Sequence, residues 1–170
     1  MRDHLFILDL NGTLLETRRE PIPYVIHNGM ARVKYIYHRP YLMEFMEFLL
    51  NNFHVGIWTS NIAENAMAIV KSVFTDEQLK RLKFVCAREQ CTLLKSDDPR
   101  SIKDLDKIWE RLPHFKGHTT IIDNEREKLY PHHLNCLMQV SEYDPSEAPQ
   151  DHTLKTMEDQ IRSMFNIYNM

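Results

Sequence analysis

The chain has 170 residues, 43% hydrophobic and 26% charged, and its 21 basic and 24 acidic side chains give a formal charge of −3. That is the size and balance of a single globular domain, 1–170, able to bury roughly 70% of its unfolded surface. It excludes a disordered chain, and a slight acidic excess supplies no global basic field for nucleic acid or anionic membrane. No apolar run approaches the roughly 20 residues of a membrane span, and the N-terminus lacks the apolar core of a signal peptide. Cys86, Cys91 and Cys136 are odd in number and form no CxxC pair. They read as reduced thiols of an intracellular protein, nuclear or cytoplasmic.

In chain order, the apolar run 4–10 is short and continuous, as a strand buried on both faces is, and stops at Asn11-Gly12. Residues 24–26 and 33–37 are β-rich and flank His27-Asn28-Gly29-Met30, so a hairpin turning at Asn28-Gly29 is predicted within an insertion spanning 16–39. Leu42, Phe45, Met46 and Leu49 fall at i, i+3, i+4 and i+7, which predicts an amphipathic helix over 41–52 with Pro40 at its start. A second buried strand follows at 53–58, and Ser60 or Asn61 caps a helix running to about Phe74. Thr75 caps a short helix, 84–86 is a third strand, and Ser101 leads into a helix ending near Leu112. Strands at 119–122 and 136–140 and a terminal helix over 152–164 complete the pattern. Strand and helix alternate apart from the early hairpin. The fold class is therefore α/β: a parallel sheet with helices on both faces.

In such a sheet, ligands sit beyond the carboxyl ends of the strands. The residues found there are Asp9, Asn11, Gly12 and Thr13 after the first strand, Thr59 and Ser60 after the second, and Asp123 and Asn124 after the fourth. Lys103 lies within reach of the same edge. A carboxylate nucleophile at Asp9 needs a cation to blunt repulsion from an anionic substrate, and Asp123 and Asn124 offer the hard oxygens Mg²⁺ prefers. Thr59 can donate a hydrogen bond, and Lys103 a fixed charge, to a transferring phosphoryl group. Gly12 permits a tight turn with backbone N–H groups facing an anion. Each residue also has a plainer reading: Thr59-Ser60 as a helix cap, Lys103 as a solvated helix charge, Asp123-Asn124 as a turn.

The segment FILDLNGTL resembles the first motif, DxDx(T/V), of the haloacid-dehalogenase superfamily. GIWTSN, SIKDLDKIW and TIIDNEREKLYPHHLNC resemble the later motifs of its small C-terminal-domain phosphatase branch, the NLI-interacting-factor or FCP-homology domain. HRPYLMEFMEFL and AREQC match further segments, and the likeness runs in order over residues 4–165. The resemblance implies a Rossmann-like sheet with a substrate-contacting hairpin insertion, and Mg²⁺-dependent dephosphorylation of phosphoserine or phosphothreonine through an aspartyl phosphate. By that resemblance Asp9 is the nucleophile, Thr59, Ser60 and Lys103 bind phosphate, and Asp9, the Asn11 carbonyl, Asp123 and Asn124 surround the metal. Arg88, Tyr35 and Tyr37 are candidate substrate contacts. The expected partner is a phosphorylated protein or peptide, with no nucleic acid, no membrane and a monomeric state favoured.

One departure matters. Position 11 is Asn where the family's general acid is Asp. An amide keeps the backbone carbonyl for a metal but cannot give or take an acid proton, and such assistance contributes about 10²–10⁴-fold. The chain is then a slow phosphatase whose second acid lies elsewhere, a stalled or phosphotransferase-like phosphoenzyme, or an inactive pseudophosphatase that binds phosphopeptides or docks proteins. A substitution made to trap a complex fits the same residue, and a small-molecule or nucleic-acid 3′-phosphatase is a weaker option. Pro113 and Gly117 break the helical zinc face that His114 and His118 could offer, and the adjacent His132-His133 pair is not expected to bind metal either.

Overall fold

The structure is a computed structural model that describes residues 2–95 and 98–167. Its elements in chain order are β1 (Leu5–Leu8), β2 (Leu15–Arg18), β3 (Gly29–Ala31), β4 (Lys34–His38), α1 (Leu42–Asn52), β5 (His54–Trp58), α2 (Ala63–Val73), α3 (Asp76–Arg81) and β6 (Val85–Cys86). Then come β7 (Thr92–Lys95), β8 (Asp98–Ile102), α4 (Leu105–Arg111), β9 (Thr119–Asp123), β10 (Leu137–Gln139) and α5 (Thr153–Met164). Five strands form a parallel sheet in the order β10-β9-β1-β5-β6. The chain leaves β1 toward β5 on one side and returns to β9 on the other, so the strand order reverses at β1. That reversal opens a crevice at the carboxyl end of β1. Leu8 stands opposite both Ile57 and Ile122, which brings Asp9, Thr59 and Asp123 out along one edge.

Successive β1 side chains alternate between two cores. Phe6 and Leu8 pack with Phe45 and Leu49 of α1, Val70 of α2 and Ile161 of α5, while Leu5 and Ile7 pack with Trp58, Ile121, and Leu105 and Ile108 of α4. Helices thus cover both faces, which is why the strand reads as a continuous apolar run. Each fully buried side chain of this kind contributes about 1.5–3 kcal/mol relative to exposure. No helix among the described residues is long and apolar enough to cross a membrane, and all three cysteines are free.

The insertion differs in detail from the sequence expectation. It is a three-stranded antiparallel sheet in the order β2-β4-β3. Its tight turn lies at Arg32-Val33 rather than Asn28-Gly29, because Ala31 pairs with Lys34. Asn28 is instead drawn alongside β4: its N–H donates to the Ile36 carbonyl at 2.7 Å and its side-chain oxygen accepts from His38 N at 2.8 Å. Arg32 takes the positive φ of 55° that the turn demands, held by an ion pair to Glu64 at 2.7 Å. Tyr24 and Ile26 lie outside any strand and are exposed.

Two helix starts also move. The cap position of α2 is Ile62, without a side-chain bond, and the Glu89 carboxylate accepts from Ala63 N instead, at 3.0 and 3.1 Å. The stretch leading into α4 is not helical from Ser101. Ser101 and Ile102 end β8, which pairs with β7 in a hairpin the sequence patterning did not reveal, and α4 begins at Leu105 under an Asp104 cap.

Candidate active site

Asp9 is the first residue beyond β1, and its N–H donates to the Ile122 carbonyl at 3.1 Å, which seats it level with the end of β9. The carboxylate is 2% exposed. Lys103 enters from the loop between β8 and α4, where its backbone N–H donates to Lys128 O at 2.7 Å, and it is fully buried. Its Nζ donates to Asp9 Oδ1 at 2.8 Å and to Asp123 Oδ2 at 2.6 Å. Burial alone lowers the pKa of a lysine, but the two carboxylates overrule it and hold Lys103 charged, above its ordinary value. Burial, reinforced by Asp123 and opposed by Lys103, pushes Asp9 up to about 6. Lys103 is therefore no solvated helix charge; it is the cation that lets two buried acids share one sheet edge.

The turn after β1 is clamped from several sides. Leu14 N donates to Leu10 O at 2.9 Å, Tyr143 N to Gly12 O at 2.9 Å, and the buried Arg39 donates through Nη1 to Thr13 O at 3.0 Å. Arg39 also pairs with Asp151 at 3.0 Å, tying the turn to the start of α5. Thr13 Oγ1 lies 3.2 Å from Asp9 Oδ2 and 3.1 Å from Asn124 Oδ1, so one hydroxyl is shared between two acceptor oxygens. Gly12 has φ 77°, and a Cβ there would come within 2.7 Å of Asn124 Nδ2. The absent side chain makes room for the Asn124 amide against the turn. Gly12→Ala is expected to displace Asn124, to cost about 1–2 kcal/mol for the left-handed backbone, and to weaken any divalent-cation binding at the Asn124 side chain. Urea denaturation and a metal titration check both effects.

Asn11 faces the second side of the cavity. Its Oδ1 accepts from Asn61 Nδ2 at 2.9 Å, and its Nδ2 donates to Thr17 Oγ1 at 2.8 Å and Glu16 Oε1 at 3.2 Å. Asn61 also donates through its backbone N–H and Nδ2 to Thr59 Oγ1, at 3.2 and 3.0 Å. Thr59 is an acceptor in both bonds, leaving its own hydroxyl proton for an anion. A cavity of about 260 Å³ opens over these groups, and its wall includes Asp9, Asn11, Thr59, Ser60, Arg88 and Asn124. Arg88 is oriented by its Nε bond to Ser60 O at 2.8 Å.

The structure brings together Asp9, Asn11, Thr59, Ser60, Lys103, Asp123 and Asn124, with Arg88 at the rim. Tyr35 and Tyr37 do not line this cavity. Tyr37 is buried and its hydroxyl accepts from Ile22 N at 2.8 Å, so it serves sheet packing rather than a peptide groove. Three further residues join the site: Thr13, placed at this edge by the sequence without a chemical role, Asn61, offered there only as a helix cap, and Glu16. Asn61 was visible within GIWTSN, whereas nothing in the pattern marked Glu16, which reaches Asn11 only through the turn into β2.

A family model described as NLI interacting factor-like phosphatase matches residues 4–169. The chain belongs to that family. The NLI-interacting-factor domain here is 29% identical over 175 residues to an FCP1 homology domain-containing protein of Schizosaccharomyces pombe, covering 86% of this chain and 65% of that protein. It is 26% identical over 134 residues to the CTD phosphatase-like protein 355R of invertebrate iridescent virus 3, covering 72% of each. The solved structure of Fcp1, described as an essential RNA polymerase II CTD phosphatase, superposes with a TM-score of 0.61 at 15% identity, over 98% of this chain and 54% of that one. A fission yeast Fcp1 variant bound to beryllium fluoride gives 0.60 at 15% identity, over 96% and 51%. At that identity the likeness speaks for the fold: the haloacid-dehalogenase-like α/β sheet. The domain spans 65% of the length of its fission yeast relative and about half that of the solved chains.

Proposed function

We propose that this domain is a Mg²⁺-dependent phosphoprotein phosphatase that uses Asp9 as nucleophile on phosphoserine or phosphothreonine in a peptide, slowed by the amide at position 11. The observation that carries the reading is the fully buried Lys103 bridging Asp9 and Asp123 beneath an open polar cavity. A buried lysine that organises two carboxylates at a strand-order reversal suits phosphoryl transfer, where catalysis is mostly positioning and charge neutralisation.

The residues present fit a hard divalent cation. Asp9, the Asn11 carbonyl and Asn124 would hold it, and the space left by Gly12 is what admits the Asn124 amide. Asp123 has both oxygens engaged, one by Lys103 and one by Glu125 N at 2.9 Å, so its part is to fix Lys103 and the loop carrying Asn124. When bound, Mg²⁺ offsets the negative charge of nucleophile and phosphate.

In the first step an Asp9 oxygen forms a bond to phosphorus while the seryl or threonyl P–O bond breaks. Thr59 and Lys103 stabilise the charge on the transferring group. The departing alkoxide takes its proton from water, since Asn11 has none to give. Water then attacks the aspartyl phosphate, releasing phosphate and restoring the Asp9 carboxylate. The carboxylate bonded to the Asn11 amide is Glu16, the group at hand to receive that proton.

The amide at position 11 also favours a second reading, a pseudophosphatase that captures phosphopeptides without turnover. Phosphate release separates the two. The phosphatase reading expects Mg²⁺-dependent release, faster from an aryl phosphate than from a phosphoserine peptide, and lost in Asp9→Asn. Tight peptide binding by calorimetry with no release from either substrate sinks it in favour of capture.

A further inference from the structure

Among the described residues, one group of three metal-ligating side chains brings its ligand atoms within 4.8 Å of one another: Asp106, His132 and His133. None of the three lines the phosphate cavity. Asp106 stands in the first turn of α4, and the histidines are neighbours in the 3₁₀ turn Pro131–Cys136. His132 Nε2 lies 3.8 Å and His133 Nε2 3.5 Å from the same atom, Asp106 Oδ2. Those separations are long for hydrogen bonds. They are close to the spacing a tetrahedral zinc imposes, since bonds of about 2.0–2.1 Å set ligand atoms about 3.3 Å apart.

A second observation points the same way. His133 is 2% exposed, yet its Nδ1 has no hydrogen-bond partner and its Nε2 has only the long 3.5 Å approach to Asp106. A buried imidazole left unpaired is destabilising, and a metal at Nε2 removes half of that deficit. Its ring is fixed edge-on to Trp109 at 5.3 Å and lies 4.1 Å from the His132 ring, which in turn stacks on Tyr130 at 5.4 Å. The rings are thus held in place before any ion arrives. The side chains of His132 and Asp106 are 64% and 51% exposed, so an ion can enter from solvent and keep a water as its fourth ligand.

We propose that Asp106, His132 and His133 form a binding site for one zinc ion, separate from the phosphate cavity, that fastens the 131–136 turn to α4. Two imidazoles and one carboxylate select zinc over the Mg²⁺ that suits the oxygen ligands near Asp9. The sequence leads one to expect no metal at His132-His133, because two adjacent histidines alone make no site. The third ligand here comes from α4, about 26 positions upstream, a juxtaposition only the fold creates.

The test uses the full chain, stripped with a chelator and held in millimolar Mg²⁺ to keep the oxygen ligands supplied, then titrated with Zn²⁺ against a chromogenic chelator. One equivalent of zinc is expected, together with a rise in melting temperature. His132→Ala and Asp106→Asn, both at exposed positions, are expected to weaken zinc binding about tenfold or more and to abolish that rise, with metal-free melting unchanged. Three results overturn the site. They are no stoichiometric zinc at all, zinc binding undiminished in both variants, or zinc lost in an Asp123→Asn chain that still melts cooperatively at its metal-free temperature, which assigns the ion to the phosphate cavity.

Discussion

Asn11→Asp is expected to raise the rate of phosphoserine-peptide hydrolysis by about 10²–10⁴-fold, the usual contribution of a positioned general acid and base. The surroundings of position 11 already suit an acid. The oxygen that replaces Nδ2 would face Glu16 Oε1, now 3.2 Å from the amide nitrogen. Two carboxylates at that distance favour sharing one proton, which supplies an acid beside the leaving group. The other oxygen keeps its bond from Asn61 Nδ2. With an aryl phosphate, whose leaving group needs little protonation, phosphorylation of Asp9 should gain far less, the benefit falling on hydrolysis of the acyl phosphate. Burst-phase rates of leaving-group release from both substrates check the difference. An equal burst-phase gain on both would mean that position 11 acts on binding rather than on the leaving group.

Lys103→Met is expected to be the most damaging single change to stability, on the order of 3–5 kcal/mol. Methionine fills similar volume but leaves Asp9 and Asp123 buried without the cation they share at 2.8 and 2.6 Å. The loss should be largest in the absence of divalent metal, where only the more distant Lys128 opposes the pair's charge. Adding Asp123→Asn removes one of the stranded charges and should recover part of the loss, an interaction that urea midpoints for the two singles and the double report directly. Simple additivity of the two substitutions would argue that the lysine contributes packing alone.

Much of the site was legible because a parallel strand buried on both faces is short, apolar and ends abruptly. Asp9, Thr59 and Asp123 each follow such a run, and strands in register deliver them to one edge. Lys103 was legible only by its motif, since its burial depends on β7 and β8, whose hairpin carries no clear alternation and includes Pro99 and the exposed Leu93. The turn of the insertion was misplaced because Asn-Gly is a strong local signal, yet Asn28 bonds along β4 and Arg32 turns the chain. Local preference lost there to strand pairing, in which Ala31 sits opposite Lys34. The partners of Asn11 and the meeting of Asp106 with His132 and His133 are tertiary facts with no periodic signature.

Asp9 is the proposed nucleophile, and trapping its phosphorylated form tests that role most directly. The chain is incubated with Mg²⁺ and an aryl phosphate, quenched in acid, and digested for mass spectrometry. Aryl loss proceeds without a general acid while hydrolysis of the acyl phosphate is slowed by the amide at position 11, so a phosphoryl group should accumulate on Asp9. The adduct should be labile to hydroxylamine and absent in Asp9→Asn. Phosphate release at an undiminished rate in Asp9→Asn, with no adduct in the unaltered chain, would contradict it.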